Sequence, residues 1–117
     1  MNKLRVGICG WGNVATGLFK TLQTNSVEIK KRSNLEIEII AIGARRDNPK
    51  CDPGNVIIER DIFNIIDHDI DVIVELIGGV DVARDLILKA LNAKKHVVTA
   101  NKAVSYTHLR AHETTCD

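Results

Sequence analysis

Near its N-terminus the chain carries two glycines and an alanine whose spacing suits the binding of a phosphate. Gly10, Gly12 and Ala15 form the pattern GxGxxA. A glycine lets the backbone turn sharply and approach a ligand closely, and a small third residue lets a helix pack against a strand. In the dinucleotide-binding fingerprint, the pyrophosphate lies at the N-terminus of that helix, where free N–H groups attract an anion. An ordinary strand-to-helix turn is the alternative reading of these glycines.

The residues around the glycines predict the strand and the helix that this fingerprint requires. Residues 4–9 are mostly apolar, as in a buried parallel strand. Residues 13–30 predict one long amphipathic helix in which Val14, Leu18 and Leu22 share an apolar face. The fingerprint therefore has the sequence context in which it binds nucleotides.

Further strands and helices are predicted to alternate along the rest of the chain. Strands are predicted at 35–42, 71–77 and 95–100, a helix at 80–93, and a short strand and a short helix at 56–58 and 62–66. This alternation favours an α/β fold: an incomplete, Rossmann-type, doubly wound parallel sheet with helices on both faces.

Two arginines follow the second predicted strand at the position where such folds hold the adenosine ribose. Arg45 and Arg46 lie where a carboxylate would bind the ribose hydroxyls of NAD, and an arginine there can pair with the 2′-phosphate of NADP. Asp47 comes next and weakens this preference. The pattern favours NADP, with two solvated loop arginines as the alternative.

Four segments are predicted to meet beyond the carboxyl ends of the strands, where ligands bind in such sheets. They are residues 10–15, 44–46, 77–79 and 99–102. Glu75 is a polar residue inside an otherwise apolar strand, and an edge-facing carboxylate is the alternative to a functional role. Lys102, just past a strand, is either a site residue or a solvated lysine.

The composition argues against several other classes of function. The 16 basic and 15 acidic residues are interspersed and give a net charge of +1, so no charged surface for nucleic acid or membrane is indicated. No signal peptide or membrane-spanning segment is recognisable, and the three cysteines form no metal-binding pattern. We expect a cytoplasmic domain that binds no metal, in which Cys9 is a buried, unreactive residue.

Taken together, the motifs resemble the N-terminal nucleotide-binding domain of the homoserine dehydrogenase family. The resemblance covers residues 4–104 and rests on the strings VGICGWGNVATG, IIAIGARRD, DVIVELIGG and KHVVTANKA. It implies the reversible reduction of aspartate 4-semialdehyde to homoserine with NADPH or NADH, on the threonine and methionine pathway. It also implies that the full-length protein forms a homo-oligomer.

The resemblance and the fingerprint together nominate the site residues. Lys102 is the implied catalytic residue, beside the nicotinamide and the substrate, and Glu75 is placed on the substrate or nicotinamide side. The expected cofactor is NADP, with NAD possible. The expected cofactor-binding residues are Gly10, Gly12, Asn13, Val14, Ala15, Arg45, Arg46, Ile77, Gly78, Thr99, Asn101 and Lys102.

The chain departs from the family pattern in three places. Ala15 replaces the usual third glycine, and Trp11 occupies a position that is usually aliphatic. After residue 104 the family pattern ends, and residues 105–117 read like translated sequencing adapter, with His108 and His112 spaced by accident and not as metal ligands. We therefore expect a nucleotide-binding domain at 1–104 that is inactive by itself. A non-catalytic domain that senses NAD(P) is the rival interpretation.

Overall fold

The computed structural model describes residues 2–49, 51–78 and 80–100. Asn101, Lys102 and the tail at 105–117 therefore lie outside the described residues. Within the described part, five parallel strands form one sheet in the order β3-β2-β1-β4-β5. The strands are β1 (Asn2–Cys9), β2 (Leu35–Gly43), β3 (Ile57–Glu59), β4 (Val72–Glu75) and β5 (His96–Thr99). This order is that of a Rossmann sheet without its sixth strand, and it confirms the predicted fold class.

Helices cover both faces of the sheet, as expected. They are α1 (Asn13–Thr24), α2 (Ser26–Ser33), a 3-10 helix (Ile62–Asp67) and α3 (Asp81–Asn92). One core cluster joins Phe19 of α1 to Ile8 and Ile42 of the central strands. A second cluster joins Ile73 of β4 to Leu86 of α3. Because side chains alternate along a strand, β1 and β2 contribute to both clusters, and the sheet is anchored from two sides.

The prediction of one long helix at 13–30 is wrong, because the segment forms two helices that break at Asn25. The backbone N–H of Asn25 and its side-chain Nδ2 both donate to the carbonyl oxygen of Thr21, each at 3.0 Å. Asparagine competes for backbone hydrogen bonds in this way and favours helix ends. The break lets α2 run separately, until Asn34 ends it in a left-handed conformation with φ of 55°.

The predicted apolar face of the first helix is also partly wrong. Val14 is 67% exposed, whereas Ala15, Thr16 and Phe19 are the buried residues of α1. The helix packs through the alanine that follows the glycine turn, so the first-turn valine is left outside the core. The exposed Val14 lies at the end of the helix where the candidate site is expected.

The remaining elements lie close to their predicted positions. Residues 56–66, where the sequence predicted a short strand and a short helix, form β3 and the 3-10 helix. The Asp61 carboxylate caps the first turn of this helix by accepting from the N–H of Phe63 at 3.1 Å. The strand predicted at 71–77 ends early, at Glu75, and the chain then bends. None of the helices in the described ranges is both long and apolar enough to span a membrane.

Candidate functional site

A cleft of about 490 Å³ lies at the carboxyl edge of the sheet, beyond the central strands. Three segments form most of it: the glycine turn after β1, the loop after β2 and the bend after β4. Ile62 of the 3-10 helix completes the lining. This lining includes six of the predicted site residues, namely Gly10, Gly12, Arg45, Arg46, Ile77 and Gly78. Three of the four segments expected to converge therefore share one cleft.

The two glycines of the turn have different physical roles. Gly10 has a φ of +107°, and a Cβ there would lie 2.8 Å from the carbonyl oxygen of Leu76. The fold itself therefore requires a glycine at this position, because the turn packs directly on the backbone after β4. Apart from its chain neighbours, a Cβ at Gly12 would meet no atom of the described residues within 4 Å, which leaves space beside it for a ligand.

The N-terminus of α1 opens at this turn without a side-chain cap. Gly12 is the N-cap residue, and its carbonyl oxygen accepts the first helical hydrogen bond from the N–H of Thr16 at 2.9 Å. Asn13 and Val14 are exposed, Ala15 is 1% exposed, and the first turn carries no acidic residue. The N–H groups of the first turn and the positive end of the helix dipole fit a pyrophosphate.

The loop after β2 presents two arginines to the cleft. Arg45 and Arg46 are exposed, and neither forms a hydrogen bond or ion pair with another residue in the described ranges. Asp47 is also at the cleft, but its Oδ1 lies 2.5 Å from Nη2 of Arg60. Arg60 also donates through Nη1 to the carbonyl oxygen of Ala44 at 3.3 Å. Arg60 therefore forms an ion pair with Asp47 and a hydrogen bond to the start of the loop.

Asn48 connects this loop to the glycine turn through a contact that the sequence did not predict. Its Nδ2 donates to the carbonyl oxygen of Trp11 at 3.0 Å. Trp11 is only 8% exposed and packs edge-on against Phe19, with ring centroids 5.3 Å apart. The tryptophan that departs from the family pattern thus serves the core. Sequence reasoning also missed Arg60, although its position directly after a parallel strand could have indicated the same edge.

Glu75 does not reach the cleft directly. It is 0% exposed, so the edge-facing interpretation is wrong. Its Oε2 accepts from the N–H of Ile77 at 2.6 Å, and its Oε1 accepts from the hydroxyl of Thr99. The carboxylate therefore links the bend after β4, which lines the cleft, to Thr99 at the end of β5.

Cys9 lies next to Glu75 in the sheet, and its thiol has low reactivity. The two residues are register partners in neighbouring strands. Burial, with a smaller contribution from the Glu75 charge, raises the pKa of the Cys9 thiol to about 12. Since the thiolate is the reactive form, this thiol is unsuited to nucleophilic chemistry near neutral pH. No group of three or more metal-binding side chains occurs among the residues that the structure describes.

Comparisons with known proteins agree with this geometry. The family described as "Homoserine dehydrogenase, NAD binding domain" matches residues 10–113. Homoserine dehydrogenase of Pseudomonas aeruginosa is 50% identical over 109 residues, covering 92% of this chain and 25% of that protein. The Bacillus subtilis enzyme is 32% identical over 105 residues, covering 87% of this chain and 24% of that protein. The chain thus spans about a quarter of the length of these relatives.

Solved structures give the same result. A homoserine dehydrogenase from Thiobacillus denitrificans superposes with a TM-score of 0.86 at 33% identity, covering 97% of this chain and 27% of that one. The Staphylococcus aureus homoserine dehydrogenase at pH 6.5 gives 0.82 at 33% identity, covering 97% and 29%. A Rex-family repressor, at 14% identity and a TM-score of 0.59, shares the fold alone. On these matches, the chain belongs to the NAD-binding domain family of homoserine dehydrogenases.

Proposed function

We propose that this chain is the cofactor-binding part of a homoserine dehydrogenase that interconverts L-homoserine and L-aspartate 4-semialdehyde with NADP. The observation that carries the proposal is the cleft, in which the glycine turn, the two arginines and the bend after β4 come together. The reaction belongs to threonine and methionine biosynthesis, in the cytoplasm of the cell. The relatives favour an enzyme over a domain that only senses NAD(P), since those named above with at least 30% identity are homoserine dehydrogenases.

The preference for NADP over NAD rests on the charge at the tip of β2. Arg45 and Arg46 are exposed at the cleft, and the acidic Asp47 is paired with Arg60. A guanidinium can form a bidentate, charge-assisted pair with a 2′-phosphate, whereas an unpaired carboxylate would repel it. The pairing of Asp47 therefore leaves a net positive surface where the extra phosphate of NADP would lie.

The proposed roles of the other residues follow from the way a dinucleotide crosses such a sheet, with its adenosine half on the side of β2 and its nicotinamide half on the side of β4 and β5. Gly12, Asn13, Val14 and Ala15 hold the pyrophosphate, and Ile77 and Gly78 lie beneath the second nucleotide. When bound, the nicotinamide ring accepts or gives the hydride. Thr99 ends β5 on this side of the sheet. We assign Asn101 and Lys102, which follow it in the sequence, to the nicotinamide end, with Lys102 as the proton-transfer residue for the homoserine hydroxyl.

The chain alone is proposed to be inactive. Hydride transfer needs the substrate held against the nicotinamide with the reacting atoms near contact, and it needs water excluded from the site. The chain spans about a quarter of its relatives, so we assign the remaining substrate-binding groups, and the contacts of a homo-oligomer, to the rest of the full-length protein. The proposed partners are thus a small-molecule substrate and other copies of the protein, without nucleic acid or membrane.

The test uses the chain and the full-length protein side by side, in an assay of NADP-dependent homoserine oxidation. The full-length protein should turn over at an ordinary enzymatic rate of about 1–1000 per second, and the chain should not. Lys102→Ala in the full-length protein should lower kcat far more than the affinity for NADP. Turnover by the isolated chain, or a full-length protein that is inert towards homoserine, would overturn the proposal.

A further inference from the structure

Three neighbouring strands end with their last paired residues side by side at the carboxyl edge of the sheet. Cys9 of β1 pairs with Glu75 of β4, and Glu75 pairs with Thr99 of β5. Glu75 is completely buried. A buried carboxylate is costly unless its oxygens are hydrogen-bonded, and an apolar residue is the default for a strand covered on both faces. What Glu75 binds therefore indicates why a carboxylate is present.

Both oxygens of this carboxylate are used. Oε2 accepts from the backbone N–H of Ile77 at 2.6 Å, and Oε1 accepts from the hydroxyl of Thr99. Ile77 lies beyond the last paired residue of β4, where ladder hydrogen bonds no longer fix the backbone. The side chain of Glu75 thus supplies the hydrogen bond for the Ile77 N–H that a neighbouring strand would supply within the sheet.

The backbone that Glu75 fixes is the floor of the cleft. Leu76, Ile77 and Gly78 line it, and the carbonyl of Leu76 is the group on which the turn at Gly10 packs. Leu76 itself is held by its N–H donating to the carbonyl oxygen of Cys9 at 2.8 Å. Glu75 therefore extends the fixed part of the bend from Leu76 to Ile77.

The position of Glu75 in the sheet decides which half of a cofactor it can affect. In the strand order β3-β2-β1-β4-β5, the glycine turn after β1 lies between the two halves. The adenosine half belongs to the side of β2, so the nicotinamide half belongs to the side of β4 and β5. Ile77 and Thr99 both lie on this second side.

We infer that Glu75 is a positioning residue for the nicotinamide half of the bound cofactor, acting through the Ile77 backbone and the Thr99 hydroxyl without touching the cofactor. This inference rests on the proposed function, and it deepens it. A purely structural Glu75 would affect binding of the whole cofactor or none of it. A positioning Glu75 affects one half only.

The experiment compares two ligands: NADPH and 2′-phosphoadenosine 5′-diphosphoribose, which is the same molecule without the nicotinamide ring. Glu75→Leu removes both hydrogen bonds, and it should weaken NADPH binding about tenfold while changing the affinity for the ring-free ligand less than about twofold. Glu75→Gln can still accept from Ile77 and donate to Thr99, so it should recover most of the loss. Glu38→Leu, which removes a half-exposed strand glutamate bound to Lys3 at 2.7 Å, is the matched control and should change neither affinity.

Hydrogen exchange at the Ile77 amide provides the second readout. The amide should be protected in the wild type and in Glu75→Gln, and should exchange faster in Glu75→Leu. If Glu75→Leu does not fold, Thr99→Val removes one of the two bonds at a position that still suits a strand, and NADPH should weaken about threefold relative to the ring-free ligand. Equal weakening of both ligands, or of neither, would overturn the inference. A wild-type chain that binds neither ligand would instead overturn the proposed function.

Discussion

Nη2 of Arg60 lies 2.5 Å from Oδ1 of Asp47, and this pair sets the charge at the tip of β2. Asp47 is the one acidic side chain among the described residues that line the cleft. Arg60 directly follows β3, the strand next to β2, and its side chain extends to Asp47 in the loop after β2. Asp47, which directly follows Arg45 and Arg46, is thereby paired with a cation.

Removal of Arg45 should cost affinity for NADPH specifically. A charge-assisted phosphate contact is worth about 1.5–3 kcal/mol, so Arg45→Ala should weaken NADPH by roughly ten- to a hundredfold and NADH very little. Arg32→Ala is the control, because Arg32 is an exposed arginine on α2 that is bonded to Glu28. Titration of each variant with both cofactors measures the effect, and equal losses for NADPH and NADH would refute the assignment of Arg45.

Arg60 should matter to cofactor choice only through Asp47. The pair is exposed. Such pairs contribute about 0.2–1 kcal/mol, so Arg60→Gln should lower the preference for NADPH over NADH by at most about fivefold. In an Asp47→Asn background the same substitution should leave the preference unchanged, because no carboxylate remains to be paired. The quantity to compare is the ratio of the dissociation constants for NADPH and NADH. Arg60→Gln also removes the hydrogen bond to Ala44, and a looser loop that weakens both cofactors equally leaves this ratio unchanged. A loss of the same size in both backgrounds would mean that Arg60 contacts the phosphate itself.

The two glycines of the turn should fail in opposite ways. Gly12→Val adds a branched side chain whose Cβ lies more than 4 Å from every described residue except its chain neighbours, so it should leave the melting temperature nearly unchanged and abolish binding of both cofactors. Gly10→Ala combines a φ of +107° with a contact of 2.8 Å to the Leu76 carbonyl, and it should destabilise the fold by roughly 1–3 kcal/mol. Thermal unfolding together with cofactor titration separates the two effects. A well-folded Gly12→Val variant of normal affinity would show that this glycine serves only the turn.

Cys9 should resist thiol reagents until the protein unfolds. Its pKa is raised from 9.0 to about 12, so at pH 8 the folded protein should hold about a thousandfold less of its thiolate than the denatured chain. Because the folded-state pKa is the higher one, this group should cost stability as the pH rises from about 9 towards 12, and not below 9. Alkylation rates resolved by site, in native buffer and in denaturant, check the expectation. Equal rates at Cys9 in both conditions would contradict the burial.

The sequence predicted the fold well because the signals it carries are local. The apolar strands at 4–9, 35–42 and 71–77 and the glycine turn specify a parallel sheet through periodicity and backbone freedom alone. The break at Asn25 could not be predicted from periodicity, because the apolar spacing of residues 13–30 is that of one continuous helix. The break depends on hydrogen bonds from the Asn25 side chain and backbone to Thr21.

The site was predicted less completely, because its supporting contacts join residues far apart in the chain. The Asn48 amide reaches Trp11 across 37 positions, and the Glu75 carboxylate reaches Thr99 across 24. Neither contact leaves a periodic pattern in the sequence. Six of the residues that line the cleft could be nominated from the fingerprint and the family strings. The contacts that hold these residues in place could be identified only from the packing.

The most direct test of the central claim is an equilibrium titration of the chain with NADPH, followed by NMR at each backbone amide. We expect one NADPH per chain, bound more tightly than NADH, with the largest shifts at Gly12, Asn13 and Val14, at Arg45 and Arg46, and at Ile77 and Gly78. These residues lie at the N-terminus of α1, in the loop after β2 and in the bend after β4. Absence of binding, or shifts concentrated at the amino ends of the strands, would contradict the account.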